Sequence, residues 1–138
     1  MILPGAIDLH VHMELPVGGT RSCDDFLTGM RAAAAGGVTT IIDFTVGSRE
    51  TTMTDDLSAR LKAAAPSIID YAFHAEMVGW TPKRLDEMRE VAERDVRSFK
   101  FFTAYGIKPN TLATNMVPAT PKKFLPEFET LRFVVSIT

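Results

Sequence analysis

A second cysteine is missing. Cys23 stands alone, so no internal disulfide can staple the chain, and a reducing compartment is its expected setting. An excess of either charge is missing too. Fifteen Lys+Arg against seventeen Asp+Glu leave a formal charge of −2, with no basic field for nucleic acid and no polybasic run for a membrane surface. No apolar stretch approaches the roughly 18 residues needed to cross a bilayer. No Lys/Arg-led apolar segment of the signal-peptide kind opens the chain. Together these gaps predict a cytoplasmic protein that acts on neither nucleic acid nor membrane. What is present is ordinary: 46% apolar and 23% charged residues over 138 positions suit one soluble globular domain.

Strand-like and helix-like patterns alternate from residue 2 to about residue 103. Ala6 to His12 reads as a first strand, followed by a turn-rich stretch with Pro16, Gly18, Gly19 and Ser22. Ser22 and Asp25 have the spacing of a capping box ahead of a helix with Phe26, Met30 and Ala33 on one face, stopped by Gly36-Gly37. Val38 to Phe44 is nearly all apolar or β-branched, as a strand buried on both faces would be. Thr54-Asp55 predicts a second helix with Leu57, Leu61 and Ala64 inward, ended by Pro66. Ile68 to Ala75 predicts a third strand. Thr81-Pro82 predicts the cap of a third helix, with Leu85, Met88 and Ala92 along one face. Arg97 to Thr103 predicts a fourth strand. Four strands alternating with three helices mean βαβ units and a parallel sheet. Residues 106–138 hold four of the eight prolines and no clean period, and read as an irregular tail.

The sharpest local signal is Asp8-Leu9-His10-Val11-His12. Alternate strand residues share a face, so His10 and His12 project together, roughly 6–7 Å apart at the backbone. Two converging imidazoles can share a metal ion. Asp8 has the same parity and could fix a histidine tautomer. The plainer reading is a pair of half-buried polar residues, but the C-terminal end of a first parallel strand is where α/β barrels place their chemistry. The second signal is Ser98-Phe99-Lys100-Phe101-Phe102. A lysine on a buried strand either snorkels or pairs with a carboxylate such as Asp43, or burial lowers its pKa and leaves a neutral amine. A neutral amine can add carbon dioxide and become a carbamate able to bridge two metal ions.

Taken with Leu3-Pro4-Gly5-Ala6-Ile7 ahead of the histidines, Asp24-Asp25-Phe26, the run Ala33 to Phe44, Asp70-Tyr71-Ala72-Phe73-His74 and Thr103-Ala104-Tyr105, these motifs resemble the amidohydrolase superfamily. Within it the chain is most similar to the hydantoinase/dihydropyrimidinase branch, over residues 3–105. The resemblance implies the N-terminal half of a metal-dependent (β/α)8 TIM barrel that hydrolyses cyclic amide C–N bonds, opening hydantoin and dihydropyrimidine rings. It implies a binuclear zinc site, with His10 and His12 on the more buried ion and a carboxylated Lys100 bridging both. Tyr105 would bind substrate and steady the oxyanion. The loop from Met13 to Thr20 would shape the pocket for the ring substituent, with Met13, Leu15 and Val17 as its apolar members. His74 is not among the family's ligands and reads as a hydrogen-bonded wall residue. Cys23 has no histidine nearby in sequence to activate it, and Asp43 reads as structural or supporting.

The family draws two more histidines, and an aspartate that is ligand and general base, from later strands. No histidine follows His74 here. No catalytic base is therefore assigned, and the expectation is an incomplete barrel: residues 1–105 as a partial barrel domain, 106–138 as a divergent Pro-rich tail. An open barrel of about four strands is expected to be marginal alone or to depend on a partner. The family's members typically self-associate. Two other readings stand beside the first. One is allantoinase or dihydroorotase specificity, although the Arg-Glu usual after H-x-H in dihydroorotases is Met13-Glu14-Leu15 here. The other is a non-catalytic structural relative.

Overall fold

Strand β4 (Val38–Phe44) is the element around which the rest is laid down. In the computed structural model, which describes residues 2–79, 81–102 and 132–136, it pairs in parallel with β1 (Ala6–Asp8) on one side and β5 (Asp70–Glu76) on the other. β6 (Ser98–Phe102) and β7 (Arg132–Ser136) extend the sheet, also in parallel, giving the order β1-β4-β5-β6-β7. Helices α1 (Phe26–Ala35), α2 (Met53–Ala63) and α3 (Lys83–Glu93) make the first three crossovers. Each new strand joins the same growing edge. A doubly wound sheet would reverse direction at a switch point, whereas unbroken succession is how a (β/α)8 barrel begins. The chain thus has the architecture of the opening half of such a barrel, and no described helix is long and apolar enough to cross a membrane.

Strand periodicity divides the sheet into two faces. Ile41, Phe73, Ala75 and Phe99 face the helices, in one core with Phe26, Met30, Met53, Leu57, Met88 and Val91. The methionines fill irregular gaps between the layers. The other parity, Phe44, His74, Ser98 and Lys100, lies on the opposite face, where Phe44 meets His74 at 4.9 Å between ring centroids. Gly37, at φ +86°, takes the left-handed conformation that turns the chain out of α1 into β4.

The structure departs from the sequence reading in several places. The first strand ends at Asp8 instead of His12: the Asp8 carboxylate accepts the His10 N–H, and pairing resumes only where Val11 N–H donates to the Ile42 carbonyl. The turn-rich stretch holds a small hairpin, β2 (Pro16–Val17) with β3 (Thr20–Arg21), closed by Gly18 and Gly19 at positive φ. The capping box of α1 is Asp25 with Thr28, not Ser22 with Asp25. Ser22 instead accepts from Leu15 N–H and donates to the His12 carbonyl. Thr52, not Thr54, caps α2, and Pro82 precedes α3 without a side-chain cap.

Leu57, Ala64 and Met88 face inward as read, but Arg60 is buried where Leu61 was expected, and Arg84 and Val91 where Leu85 and Ala92 were. Finally, β7 is a strand within the segment read as irregular, and Arg132-Phe133-Val134-Val135 carries the β-branched and aromatic signal for one.

Candidate active site

Leaving the ladder after Asp8 would free the segment Leu9–Met13, yet it is held at both ends. On one side His74 Nε2 bonds the Leu9 carbonyl at 3.2 Å. On the other, Asp43 accepts the Met13 N–H at 3.4 Å, and the Arg60 guanidinium donates to the Met13 carbonyl. Between these anchors His10 and His12 converge as expected, although not by strand alternation. Their Nε2 atoms lie 3.2 Å apart, with the rings edge to face.

That separation tests whether the pair suits a metal. Two nitrogens bound at 2.0–2.1 Å to one tetrahedral zinc stand about 3.3 Å apart, so the imidazoles already hold the spacing of shared ligands. His12 is disposed to stay neutral, as a ligand must. Burial, then the positive charges of Lys100, His10 and Arg60, lower its pKa to about 4. Its Nδ1 is buried without a hydrogen-bond partner among the described residues.

Phe44 joins the pair to the rest of the site. Its ring centroid lies 4.6 Å from that of His10 and 4.8 Å from that of His12, and Lys100 Nζ sits 4.2 Å from the same centroid. Lys100 is only 4% exposed. Burial pushes its pKa down, opposed by the Glu76 carboxylate, so the amine is easier to deprotonate than an ordinary lysine. Asp43 is not its partner. Asp43 has the opposite strand parity and pairs instead with Arg60 at 2.6 Å. Burial raises the Glu76 pKa against the Gly47 N–H and Lys100, which lower it. Among the described residues no three His, Cys, Asp or Glu side chains converge. The donors gathered here, among the described residues, are the two imidazoles and the lysine amine.

The remaining expectations fall unevenly. His74 is a hydrogen-bonded wall residue, bonded through Nδ1 to Ser98 Oγ at 2.6 Å and through Nε2 to Leu9. Met13 turns into the core beside Gly29 and does not line the loop, whereas Val17 at the hairpin tip is exposed. Cys23 is exposed and its thiol lies 3.5 Å from the Asp24 carboxylate. Tyr105 and Trp80 lie outside the described residues. Sequence reasoning missed Phe44, Arg60 and Arg84. Arg84 ties the strand-end loops together by donating to the carbonyls of Ser48, Thr51 and Val78.

A pH dependence follows from the two depressed imidazoles. His12 and His74 both have folded pKa values below their unfolded ones. As pH falls below about 6.5, the unfolded chain therefore takes up protons that the metal-free folded chain refuses, and stability drops. The raised carboxyls of Asp43, Asp56 and Glu76 act in the opposite sense. The contribution of His12 is read as a difference: between pH 7 and pH 4, metal-free His12→Gln should lose less stability than wild type. Equal slopes in urea titrations would refute the shift.

A parallel half-barrel that gathers two imidazoles and a buried lysine beside its strand ends places the chain among (β/α)8-barrel scaffolds. The sequence profile of the amidohydrolase family matches residues 1–128, and the chain belongs to that family. It is 45% identical over 105 residues to a D-hydantoinase of Streptomyces coelicolor, covering 75% of this chain and 22% of that protein. It is 39% identical over 107 residues to the dihydropyrimidinase of Rattus norvegicus, covering 76% and 21%. The crystal structure of dihydropyrimidinase from Brevibacillus agri NCHU1002 superposes with a TM-score of 0.79 at 34% identity, over 98% of this chain and 29% of that one. The chain thus spans between a fifth and a third of the length of these relatives.

Proposed function

We propose that this chain carries part of the site of a metal-dependent cyclic-amide hydrolase, one that opens hydantoin and dihydropyrimidine rings. The observation that carries the reading is the convergence of His10 and His12 beside buried Lys100, across the one ring of Phe44. The names borne by its relatives point to the substrate class. His10 and His12 would hold one zinc ion through Nε2. Lys100, carboxylated on its neutral amine, would bridge to a second ion, and Tyr105 would bind the substrate carbonyl.

Such metal, when bound, supplies Lewis-acid polarisation of the amide carbonyl and a water of lowered pKa. Burial keeps His12 neutral and lowers the Lys100 pKa, and Phe44 shields one side of the lysine from water. The reaction adds water across the ring C–N bond, giving a carboxylate and a free ureido nitrogen. No electron is transferred. The setting would be a self-associating cytoplasmic enzyme.

The test is zinc content and ring opening of hydantoin and dihydrouracil by the purified chain, with allantoin as a third substrate. Zinc uptake is expected and should be lost in the His10→Ala/His12→Ala double variant, and with no base assigned on this chain, tight zinc binding without turnover fits a partial site. A chain that takes up no zinc would overturn the metal-dependent reading and favour a non-catalytic relative.

A further inference from the structure

The buried imidazole of His74 belongs to β5 yet touches neither of its own strand's backbone groups. Nδ1 meets Ser98 Oγ at 2.6 Å, on β6 and two residues before Lys100. Nε2 meets the Leu9 carbonyl at 3.2 Å, one residue before His10. The carbonyl can only accept, so Nε2 carries the proton, and Nδ1 is left to accept from the Ser98 hydroxyl. Burial keeps the ring in the neutral form this arrangement requires. One fixed tautomer therefore spans from the strand of Lys100 to the segment of His10, two elements that are not neighbours in the sheet. Phe44 packs at a tilt against the same ring and against His10, and stacks on His12.

The need for such a strut is visible in the backbone. β1 ends at Asp8 and the His10 N–H is turned back onto the Asp8 side chain, so β4 holds His10 only from its far side, through Val11 N–H to the Ile42 carbonyl, and nothing in the ladder sets the Leu9 side. We infer that His74, held by Ser98, is a positioning residue that fixes His10 relative to Lys100 through the Leu9 carbonyl. This rests on the metal-site reading above and adds to it a residue that binds no metal.

The experiment compares wild type with His74→Leu, which has no polar atom, and His74→Gln, whose amide nitrogen can still donate to Leu9. Zinc affinity is measured by competition with a chromophoric chelator, and the melting temperature of each zinc-free protein is measured alongside. Zinc affinity should fall about ten- to a hundred-fold in His74→Leu, the range for loss of an outer partner of a metal ligand. His74→Gln should recover most of it. A folded His74→Leu with wild-type affinity overturns the inference, as does a loss that glutamine does not relieve.

A second readout needs no metal. In zinc-free protein the imidazole nitrogen resonances of His74 should report a proton on Nε2, and those of His10 should shift in His74→Leu. A proton on Nδ1, or unmoved His10 resonances, overturns the inference even if wild type takes up no zinc. That last result would itself count against the proposed function alone.

Discussion

Asp43→Ala should destabilise the fold by about 3–5 kcal/mol, the scale for removing one partner of a buried ion pair. The loss comes less from the attraction given up than from what stays behind. Arg60 is 6% exposed and its guanidinium reaches from α2 to the end of β4. Without the carboxylate it would keep the carbonyls of Phe44 and Met13 and the face of Phe26, 4.7 Å away, but no countercharge. The Met13 N–H would lose its acceptor as well.

Arg60→Ala should be costly for the mirror-image reason, since burial already presses the Asp43 pKa upward before any partner is removed. Replacing both with apolar residues, Asp43→Leu with Arg60→Met, should cost less than the two single changes added together. Urea denaturation of the four proteins measures this coupling. An Asp43→Ala midpoint within about 1 kcal/mol of wild type would show the pair to be ordinary surface chemistry.

That pair also marks where sequence stops being informative. The apolar stripe of α2 runs through Met53, Leu57, position 60 and Ala64, a good helical period with an arginine in it. Periodicity favours the neighbouring Leu61, because a charged residue on a helix is by default solvated. Only the buried acceptor it reaches, on a strand 17 residues away, makes Arg60 the inward residue. α3 repeats the pattern with Arg84, whose acceptors are loop carbonyls that no side-chain pattern encodes.

β4 was legible to the residue because its β-branched and apolar run leaves no helical period to compete, although only Ile41, Asp43 and Phe44 are buried and Thr39 is exposed. The convergence of His10 and His12 was legible too, but for an incomplete reason. Asp8 draws the backbone out of the ladder, and the spacing survives because Leu9 and Met13 are clamped from outside. The hairpin at Gly18-Gly19 and the strand at 132–136 both carried readable local signals. The prolines around them masked the second.

Lys100→Met should separate the demands of site and fold. In the zinc-free chain it is expected to stabilise by about 1–2 kcal/mol, because an apolar side chain of similar length replaces an ammonium group that is costly to desolvate. Glu76 works against this, since its carboxylate attracts the lysine. Desolvation is nevertheless the larger influence on Lys100, and Glu76 keeps the Gly47 N–H after the change.

The sign can be checked by pH. A lysine with a depressed folded pKa costs stability below that pKa and ceases to do so above about 10.5. The advantage of Lys100→Met should therefore shrink as pH rises toward that value. Zinc affinity should move the other way, falling at least about 100-fold, the upper end of what loss of an outer partner alone costs. Chemical denaturation at pH 7 and pH 10 and chelator competition supply the three measurements. A Lys100→Met chain less stable than wild type at pH 7 would mean that the ammonium group is well enough solvated or paired to serve the fold. The case for a deprotonated, metal-bridging lysine would then lose its physical basis.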